Sequence, residues 1–451
     1  MKIDLLVAEI GSTTTVVNAF DLSAPRFLGQ GQAPTSVLEG DVRIGLRGAT
    51  DALAKALGTD SVDYGEMFAT SSAAGGLKMT VHGLIHDMTV KAAREAALGA
   101  GGILKMTTAG RLRRSDIDRI REVGPNLILI AGGTDYGERD TAIYNAELIA
   151  AAHLGAPVIY AGNVENQREM ELIFGEVGQK IYVTENVYPK LDELNIEPTR
   201  RIIHQVFEEH ITSAPGMEHV RDMVSGSIIP TPGAVMECAR LLYDDIGDVV
   251  VFDVGGATTD VHSVTEGSEE IASILIAPEP FAKRTVEGDL GCYVNAKNVI
   301  EMIGHDKLQA ELGLDIDKVL EGYRAIPKTP EEFALVNRIA GEAAGTALAR
   351  HCGHLRYMYT PHGRKTYAEG KDLTKIKALV ATGGALTRLP ERQKLMEALR
   401  DANGSGRMLF PKPGSARIYY DEHYIMASLG VLSKKYPQQA TALLRASLGI
   451  Q

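Results

Sequence analysis

The sequence predicts a duplicated α/β protein, two related lobes with a parallel α/β layer inserted between their half-sites. Three observations carry this. First, residues 5–20 and 249–264 each read as an apolar run, an acid, a turn of small residues and a second strand-like run. Laid over each other, Glu9 meets Asp253, Gly11 meets Gly255, Thr14 meets Thr258 and Thr15 meets Thr259. Glycine in the turn and β-branched residues on both arms make each stretch a β-hairpin signature. Second, a strand ending in a glycine pair follows each hairpin at a similar distance: 127–133, ending in Gly132 and Gly133, and 378–384, ending in Gly383 and Gly384. Third, residues 141–184 alternate helical and strand patterns with short loops, which implies a parallel layer. Self-similarity at so long a spacing implies two related lobes. The expected division is 1–140, first lobe; 141–245, α/β insertion and hinge; 246–451, second lobe.

Each element follows from local pattern. Residues 1–20 form the first hairpin, and 43–57 carry small and apolar residues at helical spacing. Residues 66–72 read as a strand running into a turn that continues to Gly75 and Gly76. Ser71 and Ser72 there read either as phosphate or partner contacts or as a loop at the sheet edge. Strand character over 77–85 precedes a helix over 90–100, closed by Gly99, Gly101 and Gly102. A strand over 103–106 follows, and Ser115 is placed to cap a helix over 116–123 that stops at Gly124-Pro125. The run 127–131 is apolar throughout, as expected of a central strand. It leads into Gly132, Gly133, Thr134 and Asp135; Asp135 is a candidate to orient an attacking water, and equally a cap for the next helix.

From there a helix over 141–154, a strand over 157–161, a helix over 165–174, a strand over 180–184 and a helix over 199–210 are expected. The loop 227–233, with Pro230 and Pro232, reads as a hinge, and a helix over 234–243 follows. The second lobe opens at Asp248; 269–276 is expected to be a strand, 283–291 is polar and bracketed by glycine, and 294–303 and 306–312 are helical. Thr329 caps a long helix with Pro330 at its first position, running to about 349 with Ala340, Ala343, Ala344 and Ala347 for close packing. The strand 375–382 precedes Gly383, Gly384 and Ala385, and 421–432 is a helix with Ala427 and Gly430 on its small-residue side.

Bulk properties exclude several classes. A net charge of −11 argues against a broad nucleic-acid surface. No apolar run reaches the ~18 residues of a membrane span, and the first residues lead straight into a strand, so a signal peptide is not expected. Cys238, Cys292 and Cys352 are widely separated and odd in number, which fits a reducing cytoplasm and no cysteine-bound cluster. The run His351-Cys352-Gly353-His354 has a metal-site look, but reads first as a helix C-terminus ended by glycine.

The chemistry of the hairpins follows from their parts. Small turns bare backbone N–H groups, and several aimed at one point make an anion site. A carboxylate ending the incoming strand can hold a divalent cation through water, since Mg²⁺ keeps several waters when it binds phosphates. No Gly-x-Gly-x-x-Gly follows any strand and no Walker lysine turn is present, which removes the common alternative nucleotide motifs.

Paired acid-glycine-threonine hairpins with a late strand-Gly-Gly resemble the actin, sugar kinase and Hsp70 superfamily. Within it the chain resembles the MutL/GlmL family along almost its whole length. (The name is shared with an unrelated DNA mismatch-repair protein.) The stretches that carry this are 9–15, 70–77, 131–135, 185–189, 230–235, 253–260 and 284–291. That family assists adenosylcobalamin-dependent glutamate mutase and aminomutases. The resemblance implies an α/β fold of two ribonuclease-H-like, actin-type lobes with an α/β insertion, and ATP with Mg²⁺ in a cleft between the lobes. It implies phosphate contacts from Gly11, Ser12, Thr13 and Thr14 and from Gly255, Gly256, Ala257 and Thr258. It further implies Glu9 and Asp253 on the metal and Gly383, Gly384 and Ala385 at the nucleoside, with Glu9, Asp135 and Asp253 in the catalytic set. Where the family has a basic residue soon after the glycine of 284–291, this chain has Cys292-Tyr293-Val294-Asn295. The superfamily usually has aspartate where Glu9 stands, and the extra methylene suits slow, switch-like hydrolysis.

The function implied is an ATP-dependent chaperone that reactivates a cobalamin mutase by exchange of damaged cofactor. The expected partner is that protein client, with neither nucleic acid nor membrane; a homo-oligomer is left open. A small-molecule kinase of the same superfamily, with Asp135 as base, and an actin-like filament are the rival readings.

Overall fold

The computed structural model describes residues 2–450 except 12, 13, 74, 75, 227, 362 and 403–405. Four strands open the chain: β1 (Lys2–Ile10), β2 (Thr14–Asp21), β3 (Arg26–Pro34) and β4 (Asp63–Ser71). Five shorter ones follow: β5 (Lys78–Gly83), β6 (Ile103–Ala109), β7 (Leu127–Ile130), β8 (Val158–Tyr160) and β9 (Ile181–Val183). Next come β10 (Ile228–Pro230), β11 (Val249–Val254), β12 (Thr259–Val264) and β13 (Ala282–Glu287). The last are β14 (His354–Thr360), β15 (Gly363–Glu369), β16 (Ala378–Thr382) and β17 (Arg417–Tyr420).

The duplication is visible in the sheets. One has the order β3-β2-β1-β4-β10 and another β13-β12-β11-β16-β17. In each, three antiparallel strands meander and two more join parallel to the first. Taken in chain order within each sheet, the pattern is 3-2-1-4-5 in both, the ribonuclease-H-like arrangement. The chain divides into two compact units, residues up to Glu237 with Ala427–Leu443, and Cys238–Met426 with the residues from Leu444 on.

The pairing corrects one reading of the repeat. The strand that lies beside β1 is β4, in register Glu9 to Thr70, as β16 lies beside β11 in register Asp253 to Thr382. The apolar run before Gly132 and Gly133 is instead β7, the centre of a third sheet of order β6-β5-β7-β8-β9. That sheet is parallel throughout, as the alternating pattern predicts. It takes in β5, β6 and β7 and so begins at Lys78, well before residue 141.

Helices cover the sheets with spacing that explains them. Val42–Ala56 buries Val42, Leu46, Ala49 and Leu53 on one face and is capped by Asp41, which accepts from the Arg43 N–H. Pro330–His351 starts as expected: Glu332 N donates to Thr329 Oγ1 at 3.2 Å and Thr329 N to Glu332 Oε2 at 3.0 Å, a capping box. Its small residues Ala340, Ala343, Ala344 and Ala347 are all buried. Ser115 is not a cap: the helix is Arg114–Val123, and the Asp116 carboxylate reaches back to the Arg113 N–H.

Two further expectations change. Residues 269–276 are not a strand: Ser268 caps a single helical turn, Glu269–Ala272, whose acids suit a helix N-terminus. The strand completing that meander is β13, hidden from pattern reading because its Lys283 and Arg284 are buried by ion pairing. Nor does a helix start at Asp421. Its buried carboxylate accepts from Ile425 N and Met426 N, so the helix begins at Met426.

Candidate functional site

The two hairpins close in the same way. Gly11 N donates to Thr14 O at 3.0 Å, and Gly255 N to Thr258 O at 2.9 Å. The positions aligned by sequence are thus equivalent in structure. Ser12 and Thr13 lie outside the described residues.

The second turn is held by its backbone carbonyls. Cys292 N donates to Gly255 O at 3.0 Å; Tyr293 N and Val294 N both donate to Gly256 O at 2.8 Å. Asn295 Nδ2 donates to Ala257 O at 2.7 Å. With the carbonyls tied back, Gly256 and Ala257 are exposed and no described residue accepts from their N–H groups. An exposed pair of backbone donors of this kind fits an anion. The stretch 292–295, the departure from the family pattern, is therefore the brace of the second hairpin.

Each acid has its own setting. Glu9 is buried; its Oε1 accepts from Ser428 Oγ at 2.6 Å and from Asn18 Nδ2 at 3.2 Å, and Asn18 Nδ2 also donates to Ser428 Oγ at 2.9 Å. Gln30 Nε2 in turn holds Asn18 Oδ1 at 2.9 Å. Asp253 is half-buried and lies beside Gly383. Gly383 has φ of +84°, and a Cβ there would stand 2.5 Å from Asp253 Oδ1 and 2.6 Å from Val254 O. Only glycine serves both the left-handed backbone and the close approach. The Gly-Gly pair is not a free turn but the start of the helix Gly383–Arg388, with Gly384 exposed and Ala385 half-buried.

Sequence reasoning missed several supporting residues. Asp260, opposite Asp253 on β12, is buried and paired with Arg284, whose Nε donates to its Oδ1 at 2.7 Å. Thr258 Oγ1 donates to the other oxygen at 3.3 Å, so Arg284 orients the turn threonine through Asp260. Thr382 Oγ1 donates to Asp421, which also accepts from Ser447; burial pushes the Asp421 carboxyl up, against hydrogen bonds that hold it down. The first lobe's counterpart of Thr382-Gly383-Gly384-Ala385 is Thr70-Ser71-Ser72-Ala73, where Ser72 N and Ala73 N grip Ile10 O. The repeated Ala-Thr-x-x-Ala was the available signal. A groove of about 890 Å³ lies between the long helix, at Arg338, Gly341, Glu342 and Gly345, and the segment with Pro390 and Lys394 that follows the helix Gly383–Arg388.

Asp135 sits apart. It follows β7 on the third sheet, and its Oδ1 accepts from Val164 N and Asn186 Nδ2, both at 3.0 Å. It does not cap the next helix either, since Thr141 N donates to Glu138. Among the described residues no group of three or more His, Cys, Asp or Glu could hold a metal ion. The His351 ring is instead buried between Ser263 Oγ and Thr285 Oγ1. No helix among the described residues is long and apolar enough to cross a membrane.

Duplicated ribonuclease-H-like lobes with acid-bearing hairpins define the actin-type fold shared by sugar kinases and Hsp70. Residues 5–448 match the MutL protein family, and the chain belongs to it. It is 36% identical to Protein MutL of Clostridium tetanomorphum, over 98% of each chain. Solved structures are far more distant. A glycerol dehydratase reactivase is 12% identical with a TM-score of 0.35, over 96% of this chain and 100% of that one. Component A of the (R)-2-hydroxyglutaryl-CoA dehydratase of Acidaminococcus fermentans is 9% identical with a TM-score of 0.35, over 97% and 99%. Xylulose kinase of Bifidobacterium adolescentis is 13% identical with a TM-score of 0.31, over 96% and 94%.

Proposed function

We propose that this chain is an ATP-dependent chaperone that reactivates an adenosylcobalamin-dependent mutase, either glutamate mutase or an ornithine or lysine aminomutase. The observation that carries the nucleotide part is the equivalence of the two hairpins, each closing on one glycine N–H and each ending its first strand in a carboxylate. Gly11 to Thr14 and Gly255 to Thr258 contact the phosphates, with the exposed Gly256 and Ala257 N–H groups as donors. Glu9 and Asp253 steer Mg²⁺ through its water shell, a role that needs no preformed cage. Gly383, Gly384 and Ala385, with the groove beside Gly341 and Gly345, take the nucleoside. Asp135 orients the attacking water on this reading, its carboxylate held through Oδ1 by Val164 N and Asn186 Nδ2.

ATP and Mg²⁺ supply a difference between nucleotide states that hydrolysis removes. A client that binds one state better is gripped or released by differential affinity. Family membership supports a mutase as the client, whose dead cofactor must leave before intact cofactor enters. On this reading the sheet β5–β9 is the inserted layer and 246–451, apart from Ala427–Leu443, the second ATPase lobe. The work takes place in the cytoplasm, where the buried free cysteines stay reduced.

The test is the ATPase rate with and without each candidate mutase, pre-inactivated with hydroxocobalamin. Stimulation by one mutase, with recovery of its activity on adding adenosylcobalamin and ATP, is expected. A rate indifferent to every mutase but raised by a small metabolite would replace the chaperone with a kinase.

A further inference from the structure

The ribbon β14–β15 belongs to none of the three larger sheets. A lone two-stranded hairpin is marginal in water, and among the described residues the backbone hydrogen bonds that tie this one to the rest of the chain lie at its base. There Leu355 N donates to Arg407 O at 2.7 Å, Ile276 N to Ala368 O at 2.9 Å and Ala368 N to Ile274 O at 2.8 Å, and Ala368 is fully buried. The far half leaves the core: Met358 is 52% and Tyr359 83% exposed.

What the far half carries is not ordinary surface. Arg356, Tyr357, Met358, Tyr359, Arg364 and Lys365 crowd a few residues of strand. Tyrosine, methionine and arginine are the types enriched at the centres of protein interfaces, where a few such side chains carry most of the affinity. The Tyr357 ring sits under the guanidinium of Arg364 at 4.6 Å and that of Arg407 at 5.8 Å, which fixes both cations in place. Arg356 is matched by Glu369, but no carboxylate among the described residues pairs with Arg364, Lys365 or Arg407. In a chain of net charge −11 this is a concentrated basic patch. Its complement is a confined acidic face. A polyanion such as nucleic acid would meet the repulsion of the whole chain as well.

We infer that the β14–β15 ribbon is an arm that docks on an acidic face of the client protein. This rests on the chaperone reading above. Tyr359 on one face of the ribbon and Met358 on the other supply the apolar anchors, with Arg364 and Arg407 the charge match on the Tyr359 face and Lys365 on the Met358 face.

The full chain, its Arg364→Glu/Lys365→Glu variant and its Tyr359→Ala variant are titrated with purified adenosylcobalamin-dependent mutases at low and high salt. The charge reversal is expected to weaken binding about tenfold or more and to flatten its salt dependence, and Tyr359→Ala to weaken it about tenfold. Basal ATPase and Tm stay unchanged, since none of these residues belongs to the nucleotide machinery. Unchanged affinity in both variants overturns the arm while leaving the chaperone reading standing. A wild-type chain that binds no mutase removes the chaperone reading, and the arm's assignment with it. Duplex DNA bound by the wild type and lost in the charge reversal would give the arm to nucleic acid. Self-association lost in the same variant would give it to a second copy of this chain.

Discussion

The two hairpin sheets share strand order, sense and turn closure, yet they hold their acids differently. In the first, Glu9 is buried and its Oε1 is pinned by Ser428 and Asn18. In the second, Asp253 is half-buried beside the glycine that begins a helix. The first turn is braced from the exit of β4 by Ser72 and Ala73; the second is braced from 292–295 on three successive carbonyls. Opposite the acid stands Val16 in one lobe and the buried Asp260 in the other. Duplication has kept the closing hydrogen bond at Gly11 and Gly255 and let the side-chain support diverge. The longer reach of glutamate in the first lobe fits a site where the carboxylate must also meet Ser428.

If both acids serve one reaction, removing either should be equally severe. Glu9→Ala and Asp253→Ala are each expected to cut ATP hydrolysis about 100-fold or more, on the scale of losing a transition-state electrostatic contact. A variant of either that keeps the full rate in a steady-state ATPase assay would break the equivalence. Arg284 sharpens the difference between the lobes, because in the second it forms a buried pair with Asp260 behind the turn, where the first has Val16 opposite its acid. Arg284→Leu strands the Asp260 carboxylate and should cost about 3–5 kcal/mol of stability, read from denaturant unfolding; a near-neutral result would mean that water reaches Asp260.

The third sheet offers a comparison by pH. His82 on β5 lies fully buried between Thr108 and Thr80, and burial holds its imidazole down to about 4 from an ordinary 6.5. The unfolded chain takes up that proton below 6.5 and the folded chain does not, so stability is complete above 6.5 and falls as pH drops towards 4. The loss approaches about 3 kcal/mol, and His82→Gln should flatten this part of the Tm-against-pH curve. The smallest effect is expected at Ser428. Ser428→Ala deletes one hydrogen bond to a buried carboxylate and should cost about 2 kcal/mol, with slower hydrolysis, whereas Glu9→Asp retains hydrolysis.

Much of this was legible in the sequence where pattern and chemistry agree. Both hairpins, the parallel character of the third sheet, and the Thr329–Glu332 start of the long helix follow from spacing and caps alone. The repeat of the late strand was misplaced because Gly132-Gly133 looks like Gly383-Gly384, while its true counterpart Ser71-Ser72 shares only the flanking Ala-Thr and Ala. β13 was missed because buried Lys283 and Arg284 break the apolar alternation, their charges met by Glu279 and Asp260. The β14–β15 ribbon was missed for the opposite reason, that an exposed strand shows no buried face to read.

The central claim is that both hairpin turns receive the same nucleotide. Amide hydrogen exchange on the full chain, with and without ATP and Mg²⁺, tests it directly. Peptides covering 5–20 and 249–264 should both gain protection, with Gly256 and Ala257 among the amides slowed most. Protection of one hairpin alone, or of neither while ATP is bound, would contradict the account.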